Sequence, residues 1–349
     1  MIGWMRAARL HRIRSKLSLD RVPVPKVSAS DVLVDVQASG ICHSDVNYRD
    51  GIAPVAKLPI ILGHEIAGVV AEKGTRVKGL EIGDRVVVHY VSSCGQCRYC
   101  RSNRENLCIK YEMIGKDVDG GFAEYSCVPA ASTVLLPERI PFEQGAIIGC
   151  AVSTAYHALT RARLKPAETV AIIGVGGLGM HAVQLAKKIF HAGQVVALDR
   201  FNWKLKHAKR FGATDIVNVE NQDATTAMRK LTNGEFADIV VDFVGHDKTI
   251  RQGINLVAKG GRLVIVGIGA KSVTISPYES LIGKEMEIIG VDDHLKNELI
   301  QLIDFVGSRE LDLSHSVTHK ITLEEINAGF KLLEDPDEHP IRVVASKTA

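Results

Sequence analysis

No stretch of this chain approaches the roughly 18 consecutive apolar residues that a membrane-spanning helix needs, which excludes such a helix. Charge of one sign is also missing: 43 lysines and arginines stand against 40 aspartates and glutamates, a net of +3. A balance that small points to neither a nucleic acid nor a membrane surface as partner. Aromatic residues reach only 5%, beside 46% hydrophobic and 24% charged residues, the usage of a soluble globular protein. Internal repeats and low-complexity segments are lacking. The N-terminal segment places Arg6 and Arg9 where a signal peptide would carry its apolar run, so a cytoplasmic protein is expected. A disulfide framework is disfavoured too. The seven cysteines are an odd number, and Cys94, Cys97, Cys100 and Cys108 crowd into one short segment, which suits metal thiolates in a reducing compartment.

What is present divides the 349 residues into two textures. The first ~150 read as short β-rich segments, such as Val32–Val36, Ile66–Val70 and Arg85–Val88, separated by single glycines and polar turns. After Cys150, apolar strands alternate with helical patterns: Val170–Ile173, then Met180–Phe190; Gln194–Asp199, then Trp203–Phe211; and apolar runs near 238–243, 262–266 and 286–291. That alternation predicts a parallel sheet covered on both faces. From about Leu295 the chain is helix-rich (Leu295–Val306, Leu323–Leu333) and ends in a short strand at Ile341–Val344. This tail has no core of its own and is expected to pack back on the first domain.

Gly174-Val-Gly176-Gly177-Leu178-Gly179 is G-x-G-x-x-G between an apolar strand and a helix. The first glycine permits a tight turn, the second lets backbone approach a pyrophosphate, and the third allows close helix–strand packing. Asp199 ends the next strand, where a carboxylate accepts hydrogen bonds from ribose hydroxyls and repels a 2′-phosphate; NAD is therefore favoured over NADP. Arg200 complicates this assignment, and is read as stacking near the adenine.

Cys94-x2-Cys97-x2-Cys100-x7-Cys108 places four thiols in one polar loop. Four thiolates around tetrahedral zinc make a closed, structural site, and such a loop would depend on the metal for its order. An iron–sulfur cluster is the rival metal. A second set is more scattered: Cys42 in Gly-Ile-Cys-His-Ser-Asp, His64 in Gly-His-Glu, and Cys150 in Gly-Cys-Ala. Two thiolates and one imidazole leave a fourth position open, as a catalytic zinc requires. Each residue also has an ordinary reading as a buried side chain, and spacing alone does not bring the three together. Cys127 is left over and reads as a small core residue.

In this order, Cys42-His43-Ser44-Asp45, Gly63-His64-Glu65, the four-cysteine loop, Gly149-Cys150 and the glycine fingerprint resemble the zinc-containing alcohol dehydrogenases of the medium-chain dehydrogenase/reductase superfamily. The resemblance spans about Met5 to Val344. It implies a Rossmann doubly wound domain at 152–292 and a β-rich GroES-like catalytic domain at 1–151, completed by 293–349, with the active site in the cleft between them. It implies Cys42, His64 and Cys150 as ligands of a catalytic zinc, with the four-cysteine loop holding a second, structural zinc. NAD is the implied cofactor, and the implied reaction is reversible hydride transfer between a primary or secondary alcohol and its aldehyde or ketone, through a zinc-bound alkoxide.

By the same resemblance Ser44 begins the proton relay, Asp45 orients His64, and Glu65 lies behind the metal. Thr154 packs near the nicotinamide, and His43 and Arg342 contact the pyrophosphate. Val244, Val266 and Ile268 join Gly177, Leu178 and the other fingerprint residues as expected cofactor contacts. Where many relatives carry a relay histidine, this chain has Asn47, which cannot titrate near neutrality. Retention of Cys150 favours the alcohol dehydrogenase branch over polyol or amino-alcohol dehydrogenases, which remain the alternative; a non-catalytic zinc and nucleotide binder is the other. Tyr48, His89, Tyr90, Ile114 and Val244 are candidate substrate walls. The strand at 286–291 suggests pairing across a two-fold axis in a homo-oligomer, a tetramer in preference to a dimer.

Overall fold

The computed structural model describes residues 3–269 and 272–349; Met1 and Ile2, which head the segment compared above with a signal peptide, lie outside them. The chain forms two compact units. One runs to Ser153 and resumes at His294; the other is Thr154–Asp293. Among the described residues, no helix is long and apolar enough to cross a membrane.

The Thr154–Asp293 unit is built on six parallel strands. Across the sheet they run Asp215–Asn218, Gln194–Asp199, Thr169–Ile173, Ala237–Asp242, Val257–Ile265 and Glu287–Gly290. In chain order this is 3-2-1-4-5-6, a doubly wound sheet whose direction of winding reverses beside Thr169–Ile173. The central strands are continuous apolar runs, and Val170, Ala171 and Ile172 have no solvent exposure, as burial on both faces demands. Helices Gly177–Lys188, Asn202–Phe211, Ala224–Leu231 and Asp247–Leu256 alternate with the strands. The second of these stops at Gly212, whose φ of 115° is open to glycine at little cost.

The other unit centres on an antiparallel array in the order Thr133–Leu135, Arg85–Val88, Glu65–Lys73, Asp31–Ile41, Arg342–Ser346 and Val317–Ile321, the last two being parallel. Tyr125–Pro129 pairs separately with Asp31–Ile41. A smaller sheet, Ser18–Pro23, Trp4–Leu10 and Ile60–Ile61, shares a core with it that includes Met5, Leu10, Val34, Ile66 and Phe330. The C-terminal strand lies directly against Asp31–Ile41, with Val343 opposite Ile41. The last α-helix among the described residues is Ile326–Glu334, starting three residues later than the periodicity suggests. The Glu325 carboxylate accepts from the Thr322 backbone N–H at 2.9 Å and holds that stretch as a turn. Cys127 is a correction: it is half-buried, because strand alternation turns Ser126 and Val128 inward and Cys127 outward.

Candidate metal and cofactor sites

Strand register assembles the scattered set. Gly40 sits opposite Glu65 in the antiparallel pair, so Cys42, just past the end of one strand, meets His64, just before the start of the other. Gly40 has to be glycine, since a Cβ there would fall 1.9 Å from Glu65 Oε2. Cys150 arrives from a π-helical turn, Ile148–Val152, that follows the short helix Phe142–Ile147. One donor atom from each of Cys42, His64, Glu65 and Cys150 lies within 4.8 Å of the others, and all four residues are buried.

Asp45 ties this set together. Its Oδ2 accepts from the Cys42 backbone N–H at 2.9 Å, and its Oδ1 accepts from the Gly63 N–H at 3.2 Å. Oδ1 is also 3.4 Å from His64 Nδ1, an ion-pair distance outside hydrogen-bond geometry. Burial alone pulls the His64 imidazolium down, but the Asp45 charge outweighs it and raises His64 well above the usual histidine range. A hydrogen bond from Cys150 holds the Cys42 thiol far below its ordinary value, and Cys150 is driven up in turn. Two thiols that close share one proton, and a divalent cation is the species that displaces it. The donor set, two thiolates and an imidazole, suits zinc with an open position.

Glu65 and Arg342 form a fully buried ion pair beside this set. Burial pushes the Glu65 carboxyl up to about 7, while the Arg342 guanidinium opposes that rise. Sequence reading assigned Arg342 to the cofactor pyrophosphate and missed the pairing, for which a lone arginine in a C-terminal strand gives no signal. Ser44 Oγ lies 3.7 Å from Cys42 Sγ. His43 is exposed and Asn47 buried on the same helix, His43–Asp50. Among the candidate walls, Tyr48, His89, Tyr90 and Ile114 are buried in this unit, and the Tyr48 hydroxyl donates to Met113 Sδ at 3.3 Å.

The four-cysteine loop is closed at its neck by a two-residue antiparallel pair, Val91–Ser92 with Glu112–Met113. Sulfur separations are 3.9 Å for Cys94–Cys100, 3.5 Å for Cys97–Cys100 and 4.0 Å for Cys97–Cys108. Four sulfurs at ~2.3 Å from a central zinc would stand about 3.8 Å apart, so the loop fits the ion. Backbone N–H groups face the sulfurs: Gln96 and Cys97 donate to Cys94, and Cys94 and Lys110 donate to Cys108, at 3.3–3.5 Å. Such bonds favour thiolate, and those from the Cys100 and Ile109 backbone N–H groups hold Cys97 down at about 6.

In the Thr154–Asp293 unit the fingerprint glycines separate by role. Gly174 has a φ of +83°, and a Cβ there would strike Val244 at 2.4 Å. Nothing lies within 4 Å of a Cβ on Gly176, which leaves room for a ligand to approach the backbone, whereas a Cβ on Gly179 would sit 2.0 Å from the Gly174 carbonyl. Gly176 caps the helix that begins at Gly177 and Leu178, leaving its first N–H groups to an anion. Asp199 accepts from the Val175 N–H on Oδ2 and the Phe201 N–H on Oδ1, both at 3.0 Å. The Arg200 guanidinium stacks on Phe201, 4.6 Å from the ring centre. Val244 and Ile268 are exposed at 44% and 63%, Val266 is half-buried, and Thr154 is buried at the start of the unit.

Asp242 went unassigned in the sequence. Its carboxylate accepts from the N–H groups of Val244 and Gly245 and from the Thr249 hydroxyl, fixing the loop after its strand. An acid ending an apolar run is the signal that could have found it.

Residues 28–138 match the alcohol dehydrogenase GroES-like domain family, and residues 177–308 match the zinc-binding dehydrogenase family. The chain is 36% identical over 341 residues to an NAD-dependent alcohol dehydrogenase of Sulfurisphaera tokodaii, covering 95% of this chain and 97% of that one. It is 34% identical over 326 residues to sorbitol dehydrogenase of Bacillus subtilis, covering 92% and 91%. Among solved structures it is similar to the alcohol dehydrogenase of Aeropyrum pernix, with a TM-score of 0.89 and 34% identity over 98% of this chain and 99% of that one.

Proposed function

The chain belongs to the zinc-containing alcohol dehydrogenases of the medium-chain dehydrogenase/reductase superfamily, and from that premise we propose that Cys42, His64 and Cys150 hold its catalytic zinc. The observation that carries this is the convergence of those three buried donors, from segments far apart in the chain, to within 4.8 Å. Cys94, Cys97, Cys100 and Cys108 hold a second, structural zinc. When bound, the catalytic zinc supplies Lewis acidity toward an alcohol hydroxyl or carbonyl oxygen, and the nicotinamide takes or returns hydride.

The chain's own residues set up that chemistry. Asp45 fixes the Cys42 amide and orients His64. Arg342 balances Glu65, so that a carboxylate beside the donors is not left as a bare buried charge. Ser44 Oγ, close to Cys42, takes the proton released from the alcohol. Asn47 offers no titratable atom for the next transfer, so the proton leaves from Ser44 Oγ through solvent or a ribose hydroxyl. An Asn47→His variant is expected to add a titration to the rate profile; an unchanged profile would remove position 47 from the relay.

Asp199 supports NAD in preference to NADP, because its carboxylate repels a 2′-phosphate and Arg200 is already stacked on Phe201. Thr154, His43, Val244, Val266 and Ile268 are proposed cofactor contacts. Glu287–Gly290 forms one edge of the six-stranded sheet and supports assembly as a homo-oligomer, preferably a tetramer, which light scattering would measure. Six free thiols among the proposed ligands, none in a disulfide, suit a reducing, cytoplasmic setting.

The test is a panel of primary and secondary alcohols, aldehydes and ketones with NAD(H) and NADP(H), with and without a chelator, alongside metal analysis. Turnover of simple alcohols with NAD, abolished by zinc removal, is expected. Sorbitol and threonine belong in the panel, since the sorbitol dehydrogenase relative supports a polyol substrate as the second reading. A metal-loaded protein inactive toward every alcohol would overturn the proposal.

A further inference from the structure

Four buried rings cluster beside the donor set, three of them (Tyr90, His294 and His89) in mutual contact, with His89 stacked on Tyr90 at 6.3 Å between centroids. The His64 imidazole meets the Tyr90 ring edge to face, with centroids 5.0 Å apart and planes at 76°. Tyr90 meets His294 in the same way, at 5.0 Å and 79°, and His294 meets His89 at 4.7 Å and 73°. None of the four is more than 2% exposed.

The His89 member of this cluster is anchored. His89 Nε2 is 3.2 Å from the His294 carbonyl oxygen, which only accepts, so the His89 proton is on Nε2. Burial lowers His89 to about 4, which keeps that ring neutral at physiological pH. Backbone bonds fix the segment that joins Arg85–Val88 to Val91–Ser92: the His89 N–H donates to the Ser132 carbonyl at 2.7 Å, and the Ile114 N–H donates to the Tyr90 carbonyl at 2.9 Å.

His294 is the residue at which the chain re-enters its first unit, immediately after Asp293. Two residues on, the Lys296 backbone N–H donates to Glu105 Oε1 at 2.7 Å, and Glu105 lies inside the four-cysteine loop. The re-entry segment therefore touches both cysteine clusters' surroundings at once. Ring packing of this kind has a preferred geometry, so each ring restricts the tilt of the next.

We propose that Tyr90, braced by His294 and His89, is a positioning residue for the metal ligand His64, which keys the re-entry point of the chain to the metal centre. The inference rests on His64 being a zinc ligand, as proposed above. It gives His294 and His89 a role that reaches the metal through Tyr90 and requires neither to touch substrate.

The experiment uses the full-length protein with cobalt(II) in place of zinc, so that the visible absorption bands report ligand geometry directly. Tyr90→Leu and His294→Ala should shift those bands and weaken zinc retention against a competing chelator roughly tenfold or more, the usual scale for losing a group that orients a ligand histidine. Tyr90→Phe and His294→Phe keep an aromatic ring and should restore the bands. Met228→Ala, a cavity in the core of the Thr154–Asp293 unit, should lower stability and leave the bands unmoved. Wild-type bands and zinc affinity in both Tyr90→Leu and His294→Ala would overturn the inference, as would an equal shift in Met228→Ala. Metal counts keep the two readings apart. If His64→Ala binds as much zinc as the wild type, the ligand assignment falls and this inference with it; if it binds one zinc fewer, only the positioning role is at stake.

Discussion

The loop at Cys94–Cys108 and the set at Cys42, His64 and Cys150 each bring donor atoms within 4.8 Å, but by opposite means. The loop takes every sulfur from one short segment and turns backbone N–H groups onto them, with three of its four cysteines only half-buried. Its geometry is local, and little apolar packing stands behind it. The other set draws on three distant segments, held by sheet register, a carboxylate clamp and a buried ion pair, with all three donors buried. One centre is a staple for a loop that lacks a core. The other is a product of the fold, so damage to it should register in chemistry before it registers in order.

The largest effect that separates them is on rate. His64→Ala should lower kcat/KM by about 10³-fold or more, the loss of several kcal/mol of charge stabilisation, while zinc content falls by one and the melting temperature moves little. An equal loss of rate in a loop variant would erase the distinction. On stability, Glu65→Gln should be costlier than its size suggests. It strands the Arg342 charge in a buried site, for which about 3–5 kcal/mol is the usual penalty, and chemical denaturation should show it. Arg342→Met added to Glu65→Gln should recover much of that loss, and a strictly additive double variant would show that the pair is not coupled. Cys100→Ser in the loop should remove the other zinc and lower the melting temperature by about 5–10 °C, leaving kcat/KM within tenfold of the wild type.

The smallest effect is a dependence on pH. His89 sits near 4 when folded, against an ordinary value of 6.5, so the unfolded chain binds the extra proton between those values. Stability from this group is complete above about 6.5 and drains away as the pH falls toward 4, by about 2 kcal/mol at pH 5. His89→Phe should therefore lose about 2 kcal/mol less than the wild type between pH 7 and pH 5 in urea denaturation; equal losses would place the acid sensitivity elsewhere.

Much of this was legible from residues in order. The four-cysteine loop and the glycine fingerprint are local patterns, and their geometry follows from spacing because few bonds separate the partners. The alternation of strands and helices after Cys150 likewise specified a parallel sheet. Cys42, His64 and Cys150 were readable as a set only through family resemblance, since their meeting depends on Gly40 lying opposite Glu65, a register that composition does not encode. The Arg342–Glu65 pair and the cluster of His64, Tyr90, His294 and His89 rings were not legible at all. Each joins residues separated by long stretches of chain, and each member alone looks like an ordinary polar side chain. Cys127 misled for the converse reason: its type favours burial, but its place in the strand decides.

The strand Arg342–Ser346 completes the sheet beside Asp31–Ile41 and delivers Arg342 to Glu65. During synthesis this strand leaves the ribosome only after the whole of Thr154–Asp293. Thr154–Asp293, by contrast, is one uninterrupted segment with its own sheet, and can complete its folding while the tail is still being made. The nascent protein thus owns a nucleotide-binding body before it owns a charge-balanced metal centre. A message truncated shortly before codon 342 would yield a product that has every proposed cysteine and histidine ligand and leaves Glu65 without its counter-charge.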